Sequence, residues 1–366
     1  MQPTTRSANP RSIDALQGLR AAAALLVVLD HAIAVATIDL NLDARYQEFG
    51  YFIGLFGVKM FFIISGFVMV LSHSGDFGRH GAPTRFLARR LGRIMPLYWI
   101  MTLIFLVFGR SEPGAAEIAW SLLLIPHQST GGPFGWPVYI LGWTLQYELF
   151  FYLLFAGGLL FSRKVGLALV SGALLLLAAA SASGALGAGN VLAYLGRPII
   201  LYFLGGLVIG IMRPWFLRRE RRPGFAVAIL VALAAIAIGC AAGWPRGKWD
   251  WAQHGVCTAA AMLAVMACAL SNEEPRVYPA RRVARALGDA TYSIYLTHPL
   301  ALFPITLLAA QFPGAVPWPA FLLLSVVLSA ALGLTVYRCV ERPLVRRVGS
   351  LIGQWPGIGG RSVGAA

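Results

Sequence analysis

Apolar residues run along this chain in long continuous stretches, separated by short clusters rich in arginine. About ten stretches are long enough to cross a bilayer, near 13–36, 50–71, 93–109, 138–161, 165–182, 192–212, 224–243, 253–270, 287–310 and 317–338. A crossing helix needs roughly 20 mostly apolar residues. The runs are continuous rather than alternating, which argues against the strands of a membrane barrel. In lipid every backbone polar group must be paired within the chain, so the pattern predicts helices. The expected fold class is all-α, a polytopic membrane helix bundle of about ten spans. Residues 1–12 are expected as an N-terminal tail, 13–343 as one membrane domain, and 344–366 as a short second tail. The apolar run that opens the chain is too long for the core of a cleavable signal and reads as a retained first span. The longest polar break, 110–137, is rich in Gly, Pro and Trp and reads as a lid or re-entrant segment.

Composition agrees with this pattern. Of 366 residues, 58% are hydrophobic and 12% charged, about half the usual charged share of a soluble domain. That excludes a soluble enzyme and a disordered chain. The net charge of +15 invites a nucleic-acid reading, but the placement of the charges removes it. With both termini inside, Arg45, Arg110, Arg246 and Lys248 fall outside, and Arg20, Lys59 and Arg197 fall within spans. The other 23 of the 30 Lys and Arg residues fall inside. This is the positive-inside asymmetry of an even number of spans, and it predicts a multi-pass protein with both termini cytoplasmic. Cys240, Cys257, Cys268 and Cys339 have neither zinc-site nor disulfide spacing, and no metal is expected.

Ionisable groups inside spans are costly and are therefore candidates for function. The first span carries Arg20, Asp30 and His31, the second Lys59, the fourth Glu148, the sixth Arg197, and the ninth Asp289 and His298. The bland alternative for each is mutual pairing that holds the bundle together. Arg20 and His31 are eleven residues apart, about 20° past three helical turns, so they share one face with roughly 16 Å between them. A cation below an imidazole marks a polar track, and neutral histidine is the usual general base near neutral pH. Asp30 points about 100° from His31 and is not an obvious orienting partner. Arg90 and Arg93 are neighbours on a helix at the inner mouth and could fork onto phosphate. Arg85 and Arg89 read instead as anchors to anionic lipid. Glu148 needs a cationic partner, with Arg20 and Arg197 as candidates. His298 precedes Pro299, which frees a backbone carbonyl and bends the helix. Ser65, before a glycine, reads as helix packing, with a nucleophile as the alternative.

Taken together these motifs resemble the acyltransferase-3 superfamily of integral membrane acyltransferases. Gly18-Leu19-Arg20-Ala21 with His31 is similar to its first-span motif, and Gly57 to Phe67 to its second-span signature. Arg90-x-x-Arg93 matches its inner-loop arginine pair. Tyr292 to Pro299 and Glu341-Arg342-Pro343 match its closing motifs. The resemblance runs from about Leu16 to Pro343, and the stretch from Trp143 to Tyr152 looks most like the subgroup that acetylates bacterial exopolysaccharides. There are departures: Lys59 stands where the family often has an acid, and Asp30 where an apolar residue is usual. Many members carry a soluble esterase-like domain after the last span. Residues 344–366 are too few for one, so transfer is expected to end on the membrane part or on a separate protein.

The resemblance implies an O-acyltransferase of the bacterial inner membrane. It would use acetyl-CoA as co-substrate and a saccharide acceptor, polymeric or lipid-linked, with lipid and polysaccharide assembly proteins as partners. Arg90 and Arg93 would hold the donor phosphates. Arg20 would anchor the donor or stabilise oxyanion charge, and His31 would act as base or acyl carrier. Glu148 and His298 would orient these groups or serve the acceptor. The rival expectation is a glycan transporter, since midplane charges also suit transport.

Overall fold

A computed structural model describes residues 14–40, 42–43, 45–109, 112–130, 132–187, 189–217, 251–270, 279–312 and 316–354. Those residues form helices and loops, with no strand among them. The long helices are α1 (Asp14–Asp39), α2 (Arg45–Ser72) and α3 (Ala82–Phe108). A short α4 (Ala115–Leu122) leads through a 3₁₀ turn to α5 (Trp143–Gly158). Next come α6 (Arg163–Ala182), the short α7 (Val191–Leu195) and α8 (Leu201–Leu217). The chain continues as α9 (Trp251–Leu270), α10 (Pro279–Asp289), α11 (Thr291–Gln311) and α12 (Trp318–Val336). A π-helical turn (Tyr337–Glu341) joins α12 to α13 (Arg342–Gln354).

Among the described residues, seven helical stretches are long and apolar enough to cross a membrane. They make this a multi-pass membrane protein. Helices α5 and α9 occupy two further expected stretches, and the expected span at 224–243 lies outside the described residues. Two boundaries differ from expectation. Helix α3 begins at Ala82, eleven residues before the expected start, with proline in its first turn, where a missing N–H costs nothing. Arg85 to Arg93 are therefore helical, as expected for Arg90 and Arg93, and the helix extends well before the expected start of the span. The expected ninth span breaks at Ala290, separating the amphipathic α10 from α11.

Helix α2 is the hub. Of its most apolar stretch 78% is buried within the protein, against 61% or less for the other six. It packs along α1 and α8. The crossing with α8 is a backbone contact: a methyl group on Gly66 would overlap the Phe203 carbonyl, and one on Gly206 would overlap the Ile63 carbonyl. Small residues permit this approach, which lipid alone would not drive. On one side of α2, Phe62, Phe203 and Phe151 stack with centroids 4.4 and 4.3 Å apart. That stack ties α2, α5 and α8 into one core.

The segment between α3 and α5 folds back as expected. The Tyr98 hydroxyl donates to the Ser121 carbonyl at 2.9 Å and the Trp99 indole to the Leu122 carbonyl at 2.9 Å. Tyr98 lies ten residues from the end of α3, about 15 Å along its axis, so the segment descends beside the helix. Several of its polar groups are paired within the protein, as irregular backbone beside a span requires. Ser121 Oγ accepts from the Val138 N–H at 2.8 Å, and the Tyr139 hydroxyl donates to the Leu296 carbonyl on α11. Glu117 accepts from Ser129 Oγ (3.0 Å), Thr130 N (3.2 Å) and Thr130 Oγ1 (2.8 Å).

Two outcomes follow from this packing. Gly66→Val or Gly206→Val forces α2 and α8 apart and costs about 1–3 kcal/mol, read as a lower Tm of the purified protein. An unchanged Tm would place the crossing elsewhere. For Glu117, burial alone raises the pKa. The hydrogen bonds from Thr130 and Ser129 outweigh it and hold the carboxyl below its ordinary value of 4.5. Its stabilisation is therefore complete above that value and is lost as pH falls through the lower, folded one. Wild type should lose more Tm on acidification from about pH 5 to about pH 3 than Glu117→Gln does.

Candidate active site

Five helices converge at the arginine-rich end of the bundle around a cavity of about 120 Å³. Helix α1 contributes Arg20, α2 Phe61 and Ser65, and α3 Arg90 and Arg93. Helix α5 adds Thr144, Glu148 and Tyr152, and α11 adds Thr291, Tyr292 and Tyr295. Four of the six residues expected at the site thus meet in one place: Arg20, Arg90, Arg93 and Glu148. The other two, His31 and His298, are not part of this lining.

The guanidiniums are held mostly by shape. Arg90 lies over the rings of Tyr152 (5.4 Å) and Phe86 (5.8 Å). Arg20 donates a long hydrogen bond to Gln17 Oε1 at 3.3 Å. Among the described residues, no carboxylate oxygen comes within 4.0 Å of a nitrogen of Arg20, Arg90 or Arg93. Glu148 and Glu341 stand at longer electrostatic range: Glu148 acts on Arg20 and Arg93, and Glu341 on Arg93 and Arg20. Three cations against two anions leave an excess of one positive charge. Most guanidinium N–H groups remain unused, an arrangement suited to an anionic ligand.

Glu148 is fixed from two sides. The Tyr152 hydroxyl donates to its Oε1, as does Ser65 Oγ at 3.4 Å. Of its two candidate cations, Arg20 faces it. Arg197 is exposed at the turn after α7 and lies over Tyr194 at 4.7 Å. Lys59 is buried in α2 and lies 5.4 Å from the Tyr202 ring.

The two histidines form a pair of their own, with ring centroids 4.9 Å apart. His31 Nδ1 lies 2.8 Å from the Val27 carbonyl, and His298 Nδ1 lies 2.7 Å from the Tyr295 carbonyl. A carbonyl can only accept, so each Nδ1 carries a proton, and in the neutral ring Nε2 is left with the lone pair. His298 is wholly buried, and among the described residues its Nε2 has no hydrogen-bond partner. Tyr295 lines the cavity and stands 6.3 Å from His298. Its hydroxyl donates to the Leu141 carbonyl at 3.0 Å and accepts from Thr144 Oγ1 at 2.9 Å, which bolts the ring across to α5.

A family model described as an acyltransferase domain matches residues 13–338 of this sequence. The chain belongs to the acyltransferase-3 family. It is 33% identical over 305 residues to the exopolysaccharide production protein ExoZ of Rhizobium meliloti, an alignment covering 81% of this chain and 90% of the relative. No solved structure matches it.

In this acyltransferase-3 protein, sequence reasoning gave no role to Glu341. The last apolar stretch was expected to end at 338, inside a membrane domain expected to run to 343, and Glu341 was read only as part of a matching closing motif. The helix instead continues through a π turn, a distortion that often marks functional sites. There Glu341 is buried and accepts from Ser293 Oγ at 2.5 Å. A single acid flanked by arginine and followed by proline was the available signal. Glu341→Gln keeps an acceptor for Ser293 but loses the charge behind Arg93, whereas Glu341→Ala loses both. The alanine variant should lose about 1.5–3 kcal/mol, with Tm falling in the order wild type, Gln, Ala. Equal losses for the two variants would assign the whole effect to charge.

Proposed function

We propose that this protein moves an acetyl group from cytoplasmic acetyl-CoA to a hydroxyl of a bacterial cell-surface saccharide, an exopolysaccharide or its lipid-linked precursor. The protein would lie in the inner membrane with both termini and the arginine-rich end in the cytoplasm. The charge asymmetry of the loops supports that orientation. Family membership supports acyl transfer over transport, and the relative's name supports an exopolysaccharide acceptor.

The observation that carries the chemistry is the fixed tautomer of His31. Its Nδ1 proton is engaged by Val27, which leaves Nε2 as a base. In the proposed reaction Arg90 and Arg93 hold the phosphates of the donor, Arg20 lies beside the pantetheine arm, and the thioester end reaches the acceptor hydroxyl at His31. The acceptor oxygen attacks the thioester carbonyl carbon while His31 Nε2 takes its proton. The C–S bond breaks, and the thiolate leaves as CoA after receiving that proton. Glu148, held by Tyr152 and Ser65, balances Arg20. His298, its own Nε2 lone pair beside His31, supports the base.

Purified protein in lipid discs, given labelled acetyl-CoA and saccharide acceptor, tests this directly. Wild type is expected to transfer label. His31→Ala should lower kcat by about 10²–10⁴ while binding acetyl-CoA as wild type does. Wild-type turnover in His31→Ala removes His31 from the mechanism, and absence of transfer in wild type removes the reading itself.

A further inference from the structure

We propose that Asp30 is the acceptor-binding carboxylate and that, with His31, it forms the subsite for adjacent saccharide hydroxyls. This inference rests on His31 being the base of acyl transfer.

A carboxylate within an apolar span is expensive and needs a compensating partner. The obvious one is His31, next to it in sequence, but the geometry removes that role. Asp30 Oδ2 lies 4.0 Å from His31 Nδ1, beyond hydrogen-bond distance. The Nδ1 proton already goes to the Val27 carbonyl at 2.8 Å. Asp30 therefore neither orients the ring nor selects its tautomer.

Helix α2 makes room for this carboxylate. Gly54 lies directly against it, and any side chain there would overlap Asp30 Cβ, Cγ and Oδ2. One turn away, Gly50 likewise leaves space beside Asp30 Oδ1 and Ile33. The acid thus sits in a glycine notch, where the α2 backbone N–H groups are committed to their own helix. Nor is it sealed in: the Asp30 side chain is 20% exposed and that of His31 40%. Both groups keep exposed surface in the half of α1 away from the arginines.

An ionised carboxylate only accepts hydrogen bonds, and an imidazole with a free Nε2 lone pair accepts as well. Two acceptors side by side select a ligand with two neighbouring donors. A saccharide presenting adjacent hydroxyls fits: one gives its proton to His31 Nε2, and the next donates a charge-assisted hydrogen bond to Asp30. The reacting hydroxyl is thereby chosen by its neighbour.

The test is steady-state kinetics of the full chain in lipid discs, varying acetyl-CoA and acceptor separately, with acetyl-CoA binding measured alongside. Asp30→Asn and Asp30→Ser should raise KM for the acceptor about tenfold or more. They should leave KM and Kd for acetyl-CoA and the pH profile of kcat unchanged. A shifted pH profile with unchanged acceptor KM would mean that Asp30 acts through His31, overturning the proposal, as would wild-type acceptor KM in both variants. Arg90→Ala with Arg93→Ala serves as the contrast, since it should raise KM for acetyl-CoA alone. If that pair changes nothing while Asp30→Asn behaves as stated, the donor site is wrong and the acceptor subsite stands.

Discussion

Three guanidiniums facing one small cavity inside an apolar bundle constrain everything around them. Arg20, Arg90 and Arg93 come from two helices far apart in sequence, and their mutual repulsion must be offset within the same low-dielectric space. Glu148 and Glu341 do this from behind and beside, but neither closes an ion pair within 4.0 Å. Closed pairs would spend the N–H donors on the protein. The wider spacing lowers the cost of burying the cations and keeps their hydrogen-bonding capacity for something that enters the cavity. The rest of the local architecture serves that balance. Tyr152 carries both a hydrogen bond to Glu148 and a ring under Arg90, and the π turn brings Glu341 to Ser293.

Helix existence was readable because lipid imposes one rule on every span, and nine of the ten expected stretches coincide with described helices. Local periodicity also set the face shared by Arg20 and His31. Boundaries failed where polar residues continue a helix. The expected third span began only at 93 because charge marked the membrane edge, yet arginine is a good helix former and Pro83 is well placed in a first turn. Glu341, three residues past the last expected span, was left without a role for the same reason. What no periodicity reveals is which side chain crosses to which helix. The Tyr139 bond to Leu296 and the Tyr295 contact with Thr144 join residues more than 150 positions apart. That His31 and His298 pair with each other outside the lining of the arginine cavity follows from such contacts, which the face shared by Arg20 and His31 could not show.

That placement bears on the chemistry. A thioester in contact with water can be lost to hydrolysis, and a site that excludes water protects it. Tyr295 lines the cavity and also neighbours the histidines, with its hydroxyl tied to Leu141 and to Thr144 of α5 and its ring against Phe61 and near His298. In the proposed reaction the thioester end of the donor passes this ring on its way to the histidines. Pro299, immediately after His298, has no N–H, which frees the Tyr295 carbonyl from the helix. That carbonyl accepts from His298 Nδ1 at 2.7 Å, so the turn of α11 that carries Tyr295 also fixes the histidine pair.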